Sequence, residues 1–329
     1  MTKNVLVTGA GGFIGSHLVE SLVVKGYKVK AFLHYNSNSS INNLQYLPKD
    51  VLKEIEFEFG DIMNYESIDK ATNNADIIYN LAALVSVPYS YKNSESFFDV
   101  NIKGLLNLLN SVNKKGTIER VIQMSSSEVY GSPQYTPINE AHPLQPQSPY
   151  AASKVGADAL ATSFYKTYGT PVTIARPFNT YGPRQSRRAI IPTIISQALH
   201  SSSLSLGNID SLRDFNYIDD TTSGLLALLE ETTNQGAPIN IGSGYSYSIK
   251  DIIDIVSKLL NKNLYVNRDD NRIRPSKSEV SELLCDNTTI SKLTSWKSNV
   301  SLEQGIQNTI AFFYKKDKNF IEKSNNYFI

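Results

Sequence analysis

VTGAGGFIGSHL (residues 7–18) follows directly on the apolar run NVLV and sets Gly9, Gly12 and Gly15 three residues apart. The apolar run reads as a strand, and FIGSHLVESLVVKG reads as a helix ended by Gly26. A strand, closely spaced glycines and a helix suit a bound pyrophosphate. The first glycine allows a tight turn, the second lets backbone N–H groups approach the phosphate, and the third packs helix against strand. The helix N-terminus adds its partial positive charge. The spacing is G-x-x-G-x-x-G rather than G-x-G-x-x-G, and alone it fits an unliganded glycine-rich turn. The chain beyond residue 18 separates the two readings.

Outward from this stretch, short apolar runs alternate with helical patterns. YKVKAFL, IEFEFGD, ADIIYNLAA, RVIQMSSS and PVTIARPFN read as strands. SFFDVNIKGLLNLLNSV and PYAASKVGADALATSFYKTYG carry apolar residues at helical spacing. Such alternation means βαβ units, hence an α/β fold with a parallel sheet covered on both faces and doubly wound by right-handed crossovers. After about Asn179 the pattern loosens. YGPRQSRRAIIPTIISQAL reads as a loop and then a helix, RDFNYIDDTTSGLLALLEE as a strand running into a helix, and INIGSGYSYSIKDIIDIVSKLLN as strand, loop and helix. Ser248 or Tyr247 lies where the last of these helices needs a cap. The end of the chain, FFYKKDKNFIEKSNNYFI, reads as a solvated tail. The division expected is a dinucleotide-binding domain at 1–178, with 214–243 returning to it. A smaller C-terminal α/β substrate domain takes 179–213 and 244–329. Ligands of open α/β sheets bind at the carboxyl ends of the strands, so the site belongs between the two parts.

Composition narrows the function. The chain has 329 residues, 41% hydrophobic and 19% charged, with 32 Lys and Arg against 31 Asp and Glu, a net charge of +1. That balance speaks against a nucleic-acid binder working by bulk charge. The lone Cys285 excludes an intramolecular disulfide, and the four histidines show no metal-ligand spacing, so no metal is expected. No apolar run reaches membrane-spanning length and MTKNVLV enters a strand at once, so a cytoplasmic protein without a membrane partner is expected.

About 20 residues beyond the glycines an acidic residue would normally meet the ribose hydroxyl. Here AFLHYNSNSS puts His34, Tyr35 and Asn36 on that ground. No carboxylate selects NAD and no basic residue selects NADP. NAD is favoured because nothing pairs with a second phosphate, and NADP stays open. Asp61, ending a strand, either meets the adenine amino group or only caps a turn. PYAASKVGAD sets Tyr150 and Lys154 four apart, on one face of a helix. A free phenol, with a pKa near ~10, is a poor base at neutral pH. A neighbouring ammonium and a nicotinamide cation both favour the phenolate. Tyr150 and Lys154 then form a base that removes a hydroxyl proton while hydride leaves the same carbon. By itself Y-x-x-x-K is an ordinary surface pair. MSSSEVYG, at the end of a strand in the same sheet, offers a serine to bond substrate hydroxyl and tyrosine together.

TGAGGFIG, GD at residues 60–61, NLAA at 80–83, SSSEVYG, YAASK, RPFNTYGPRQ and RDFNYIDD together resemble the extended short-chain dehydrogenase/reductase family, the nucleotide-sugar epimerases and dehydratases. The resemblance runs to about residue 312 and implies a Rossmann-type sheet. It carries the family's serine-tyrosine-lysine triad onto Ser126, Tyr150 and Lys154. SSEVYG resembles the 4,6-dehydratase version, which has a Glu after the triad Ser or Thr, here Glu128. Simple 4-epimerases generally lack it, having no proton to remove at C5. Many dehydratases read Asp-Glu at this place. Ser127-Glu128 resembles the GDP-mannose 4,6-dehydratases instead, which implies that Glu128 is both the base at C5 and the acid at C6. For the cofactor the resemblance adds Phe13, Ile14, His34 and Ile62. It also adds Leu81, Ala82 and Ala83, and further along Asn101, Ser125 and Pro177.

A sugar nucleotide presents a diphosphate, which calls for Arg and backbone donors. By resemblance Arg213 and Arg274 contact diphosphate and ribose, and Asn179 the first phosphate or the sugar. Val85 and Pro88, in VSVPYS, line the sugar pocket together with Ile191. Tyr181, Pro183 and QSRRAIIP form a loop over the nucleotide. LHYNS, SVPYSY, RPFNTYGPRQS and RPSKSEV together resemble a bacterial subgroup making 4-keto-6-deoxy N-acetylglucosamine nucleotides from UDP- or GDP-GlcNAc, and UDP is favoured. The rival activities are a 4-epimerase or a decarboxylase, which use Tyr150 and Lys154 without Glu128, and a non-catalytic dinucleotide-sensing protein. The second apolar sides of the helical stretches beginning SFFDV and YAASK imply, by family, a homodimer through a four-helix interface. Burial within one chain is the other reading.

Overall fold

A computed structural model of the chain describes residues 2–38, 40–231, 233–273 and 275–316. Six strands alternate with helices as far as residue 177: β1 (Asn4–Thr8), β2 (Lys28–His34), β3 (Ile55–Gly60), β4 (Ile77–Asn80), β5 (Arg120–Met124) and β6 (Val172–Pro177). With the strand Pro238–Ile241 they form a seven-stranded sheet whose pairings are all parallel. From one edge the order is 238–241, β6, β5, β4, β1, β2, β3. The order reverses direction beside β1, which places a crevice at the carboxyl ends of β1 and β4.

Both faces of the sheet are apolar, which is why its strands read as unbroken hydrophobic runs. Val5 and Val7 point to one side, where they pack with Leu18, Val19 and Leu22 of helix α1 (Phe13–Val24) and with Leu225 and Leu228. Leu6, Ile78 and Val121 point to the other, against Leu105, Leu108 and Leu109 of the helix Gly104–Lys115 and Ala157 and Ala161 of the long helix Pro149–Tyr168. At the carboxyl ends this apolar filling gives way to a buried polar row. Thr8 Oγ1 donates to Asn80 Oδ1 at 2.6 Å, and Asn80 Nδ2 donates to Gln123 Oε1 at 2.7 Å. Thr8 Oγ1 also accepts from Ala82 N at 3.1 Å. The row pins the chain where it leaves the sheet.

The later chain builds a smaller assembly. The strand Leu212–Tyr217 runs between Ser246–Ser248 and Glu282–Leu283, with Asn179–Tyr181 also paired to it. Its core is made by Ile191, Ile194 and Ile195 with Leu204, Ile252 and Ile306. The helix Ile218–Ala227 and the strand Pro238–Ile241 instead return to the large sheet. Ser248 caps the helix Ile249–Leu260 in a reciprocal pairing with Asp251, the capping box.

Several expectations change. SFFDVNIKGLLNLLNSV is not one uniform helix. A π-helical turn, Asp99–Lys103, separates Ser94–Phe98 from Gly104–Lys115. The end of the chain is not tail from residue 312: the helix Leu302–Lys316 extends through it and Phe313 is buried, while 317–329 lie outside the described residues. Tyr181 is a core residue, its hydroxyl donating to Leu302 O at 3.2 Å, because its strand pairing turns it inward. The strand Tyr265–Arg268, paired with Ser203–Leu206, had no sequence signal, since its four residues are all exposed. No helix among the described residues is long and apolar enough to cross a membrane.

The glycines at the two ends of α1 differ in what they tolerate. A Cβ on Gly15 would lie 2.3 Å from Gly9 O, whereas a Cβ on Gly26 would meet nothing within 4 Å although φ is +85°. Gly15→Ala should therefore lower stability by more than about 2 kcal/mol, and Gly26→Ala by only about 1 kcal/mol. Urea melts of the two variants check this, and equal losses contradict it.

Candidate active site

The glycine turn fits a phosphate cradle. Gly9 has φ +67°, and a Cβ there would lie 2.7 Å from Ala82 N and Leu81 C. Gly12 N donates to Gly9 O at 2.9 Å and Gly12 is the N-cap of α1, so backbone rather than side chain faces the space over the turn. That space is a cavity of about 870 Å³ at the carboxyl ends of the strands. Gly9, Gly12, Phe13, Ile14 and Gly15 line one end, and Leu81, Ala83 and Pro177 line its walls. Ser125, Ser126, Ser127, Glu128, Tyr150 and Lys154 line it further along. A cavity of about 470 Å³ shares Gly9, His34 and Ala83 with it and adds Asp61, Ile62 and Ala82. Another, of about 290 Å³, shares Asn179 and Gln185 with the large one and adds Pro88, Ile191 and Arg213. The chain of three spaces, with its side-chain-free turn, fits an elongated dinucleotide meeting a second nucleotide.

Not every expected residue reaches these spaces. Asn101 is buried and spends its amide elsewhere. Its Oδ1 accepts from Leu84 N at 2.8 Å, while Nδ2 donates to Leu84 O at 3.1 Å and Ser153 Oγ at 2.9 Å. The π-helical turn rotates it inward, so it fixes the backbone leading into residues 85–90 and does not line the cavity. Asp61 Oδ1 accepts from Met63 N at 2.9 Å, the turn-capping role, while the residue also borders the smaller space. Arg213 is held by Leu212 O at 2.8 Å and lies 3.5 Å from Glu279 Oε1. Arg274 lies outside the described residues. Val85, exposed, lines the large cavity beside Ser86 and Val87. The loop after Tyr181 is fastened to α1, with His17 Nε2 2.9 Å from Pro183 O and Arg184 Nη2 2.6 Å from Glu20 Oε2.

Other residues went unread in the sequence. Ser40, Asn42, Asn43 and Gln45 line the large cavity after β2. Asn42 has φ +51°, and Asn43 N donates to Gly11 O at 3.1 Å. Their signal was the asparagine-rich run itself, since Asn tolerates positive φ better than other side chains. Gln185, expected from the sequence in the loop over the nucleotide, lines the cavity as well, with Nε2 donating to Thr180 O at 2.8 Å.

The chemistry-bearing groups converge from two elements. Ser148 caps the long helix and Pro149 opens it, so Tyr150 sits in its first turn and Lys154 one turn on. Lys154 Nζ donates to Met124 O at 2.9 Å, drawing this helix onto the end of β5. β5 then passes into the short 3-10 turn Ser127–Tyr130, capped by Ser126 Oγ, which accepts from Glu128 N at 3.2 Å. Burial pushes the Tyr150 phenol up to about 12. The Ser126 hydroxyl opposes that shift, and the Glu128 and Asp158 carboxylates add to it. Burial, and not the Lys154 ammonium, sets the direction of the Tyr150 shift. The ammonium is turned to the Met124 carbonyl and is itself pushed down to about 8 by burial, with Asp158 pulling the other way. Burial dominates both groups. No group of three or more His, Cys, Asp and Glu able to hold a metal occurs among the described residues.

The sign of the Lys154 shift has a stability consequence. The folded pKa near 8 lies below the ordinary 10.5, so between these values the unfolded chain holds the proton more tightly. The burial cost is full below pH 8 and fades as pH rises to 10.5. It amounts to roughly 3 kcal/mol at most. Lys154→Met should therefore raise stability at pH 7, by about 1–3 kcal/mol, and by less at pH 10, while turnover is lost. Denaturant melts at the two pH values measure this, and a variant less stable than wild type at pH 7 contradicts it.

The family model described as GDP-mannose 4,6 dehydratase matches residues 6–309. A dTDP-D-glucose 4,6-dehydratase of Mus musculus is 30% identical, over 97% of this chain and 90% of that protein. The crystal structure of UDP-glucuronic acid 4-epimerase from Bacillus cereus, in complex with UDP-glucuronic acid and NAD, superposes with a TM-score of 0.85. It is 30% identical and covers 95% of this chain and 99% of that one. TunA, an NAD-dependent NDP-hexosamine 5,6-dehydratase of tunicamycin biosynthesis, gives 0.84 at 30% identity, covering 96% and 99%. With the glycine cradle, the tyrosine-lysine pair and the parallel sheet already in place, this chain belongs to the GDP-mannose 4,6 dehydratase family of nucleotide-sugar enzymes.

Proposed function

We propose that the protein is an NAD-dependent 4,6-dehydratase of a nucleotide-activated N-acetylhexosamine, UDP-GlcNAc ahead of GDP-GlcNAc, that releases the 4-keto-6-deoxy sugar and water. The observation that carries this is Glu128, a carboxylate lining the same cavity as Ser126, Tyr150 and Lys154. An epimerase or decarboxylase needs the tyrosine and lysine but no carboxylate for C5. The hexosamine is supported by the likeness to TunA.

NAD held over Gly9, Gly12 and Gly15 would supply a hydride acceptor for C4 of the sugar and a hydride donor for C6. Tyr150, steadied by Ser126, takes the proton of the C4 hydroxyl. The C4 ketone acidifies the proton on C5, which passes to Glu128. Glu128 gives a proton to the departing C6 hydroxyl, which leaves as water, and C5 finally regains a proton from solvent. The substrate loses one water and no net electrons. Gly9, Gly12 and Gly15 hold the cofactor diphosphate, and His34 and the asparagines after β2 take its ribose. Asn179, Pro88, Ile191 and Arg213 serve the sugar nucleotide, whose diphosphate competes with Glu279 for Arg213. We also propose a cytoplasmic homodimer. Its interface would use exposed Phe98 and Leu106 beside exposed Tyr165 and Tyr168 of the long helix.

Purified protein incubated with UDP-GlcNAc and with GDP-GlcNAc should give a product one water lighter than its substrate, read by mass spectrometry. A product of unchanged mass would be an epimer and would end the dehydratase reading. Glu128→Gln should stop water loss by roughly 100-fold or more yet still form the C4 ketone, trapped by a borodeuteride quench as deuterium at C4. Normal turnover in that variant removes Glu128 from the mechanism.

A further inference from the structure

We propose that Tyr130 is a positioning residue that sets the height of the Glu128 carboxylate through the buried guanidinium of Arg176. This rests on the catalytic role proposed for Glu128. Glu128 stands in a short 3-10 turn whose bonds to its two cap residues are long. Val129 N reaches Ser126 O at 3.4 Å, and Gly131 N reaches Glu128 O at 3.3 Å. Bonds of that length hold a turn weakly, so its shape depends on how its ends are fastened.

The leading end is fastened by Ser126 Oγ. The trailing end is fastened by Gln145 N, which donates to Val129 O at 3.1 Å, and by Tyr130, which is fully buried. Its hydroxyl accepts from Arg176 Nη1 at 3.0 Å and donates to Asn240 Oδ1 at 2.7 Å. The guanidinium also lies over the ring, 5.0 Å from the centroid. On its other side the same guanidinium grips Asp158, with Nε and Nη2 both 2.9 Å from Oδ2. Asp158 is one turn beyond Lys154 on the long helix. One cation thus ties the Glu128 turn to the helix that carries Tyr150 and Lys154. Asn240 is fixed in turn, its N–H on Glu140 Oε1 at 2.9 Å and its Nδ2 on Ile138 O at 3.0 Å. Tyr130 does not line the large cavity, so its effect passes through the turn.

Tyr130→Phe keeps the ring and its stacking but deletes the hydroxyl. Water release and solvent-deuterium entry at C5 should fall roughly 10- to 100-fold at unchanged KM, while the C4 ketone is still trapped by borodeuteride. A proportional fall in both steps marks general damage and overturns the proposal, as does unchanged dehydration. Should Tyr130→Phe not fold, Asn240→Ala, which removes the tyrosine's acceptor from the neighbouring strand, should slow C5 exchange selectively. A wild-type exchange rate there contradicts the proposal. Glu128→Gln run in parallel separates the failures. Normal dehydration in Glu128→Gln removes the underlying reading. An inactive Glu128→Gln beside a normal Tyr130→Phe removes only the positioning role.

Discussion

The hydrogen bond from Lys154 to the Met124 carbonyl, 2.9 Å long and shut away from water, is the contact on which the site depends. It joins the long helix to the end of β5. Through it Tyr150, one turn earlier on the helix, meets Ser126 and Glu128, just past that strand end. A buried ammonium needs compensation. Here it comes from the Met124 carbonyl and from Asp158, itself neutralised by Arg176. The fold thus carries a positive charge in its interior at a cost in stability and turns it to the Met124 carbonyl.

That charge does not set the phenol's acidity. Burial raises Tyr150 and the Glu128 carboxylate reinforces the rise. A tyrosine held near 12 is no base at neutral pH. Further positive charge at the site would bring the phenol down, and an oxidised nicotinamide would supply it.

The sheet was legible because its strands are buried on both faces and read as apolar runs, and the glycine turn because only glycine fits 2.7 Å from the Leu81–Ala82 backbone. The residues proposed for catalysis were legible as candidates because Tyr150 and Lys154 share one helix and Ser126 and Glu128 one turn. Other features were hidden for physical reasons. The inward rotation of Asn101 comes from a π-helical turn, and helical spacing cannot distinguish that from a regular helix. The asparagines after β2 reach the cavity through backbone geometry, with no charged signature. The small-sheet partners of Leu212–Tyr217 are set by long-range pairing. The direction of the Tyr150 shift depends on burial and on where the Lys154 ammonium points, and the i and i+4 spacing contains neither.

The electrostatic claim is tested most directly by tyrosinate absorbance during alkaline titration. The spectrum of Tyr150→Phe is subtracted from that of the wild type, because the chain has 19 tyrosines. Without cofactor the account expects no Tyr150 signal below about pH 10, and with NAD+ bound it expects one between about pH 7 and 9. A Tyr150 ionisation below about pH 9 in the ligand-free protein, or none in the loaded protein, would contradict it.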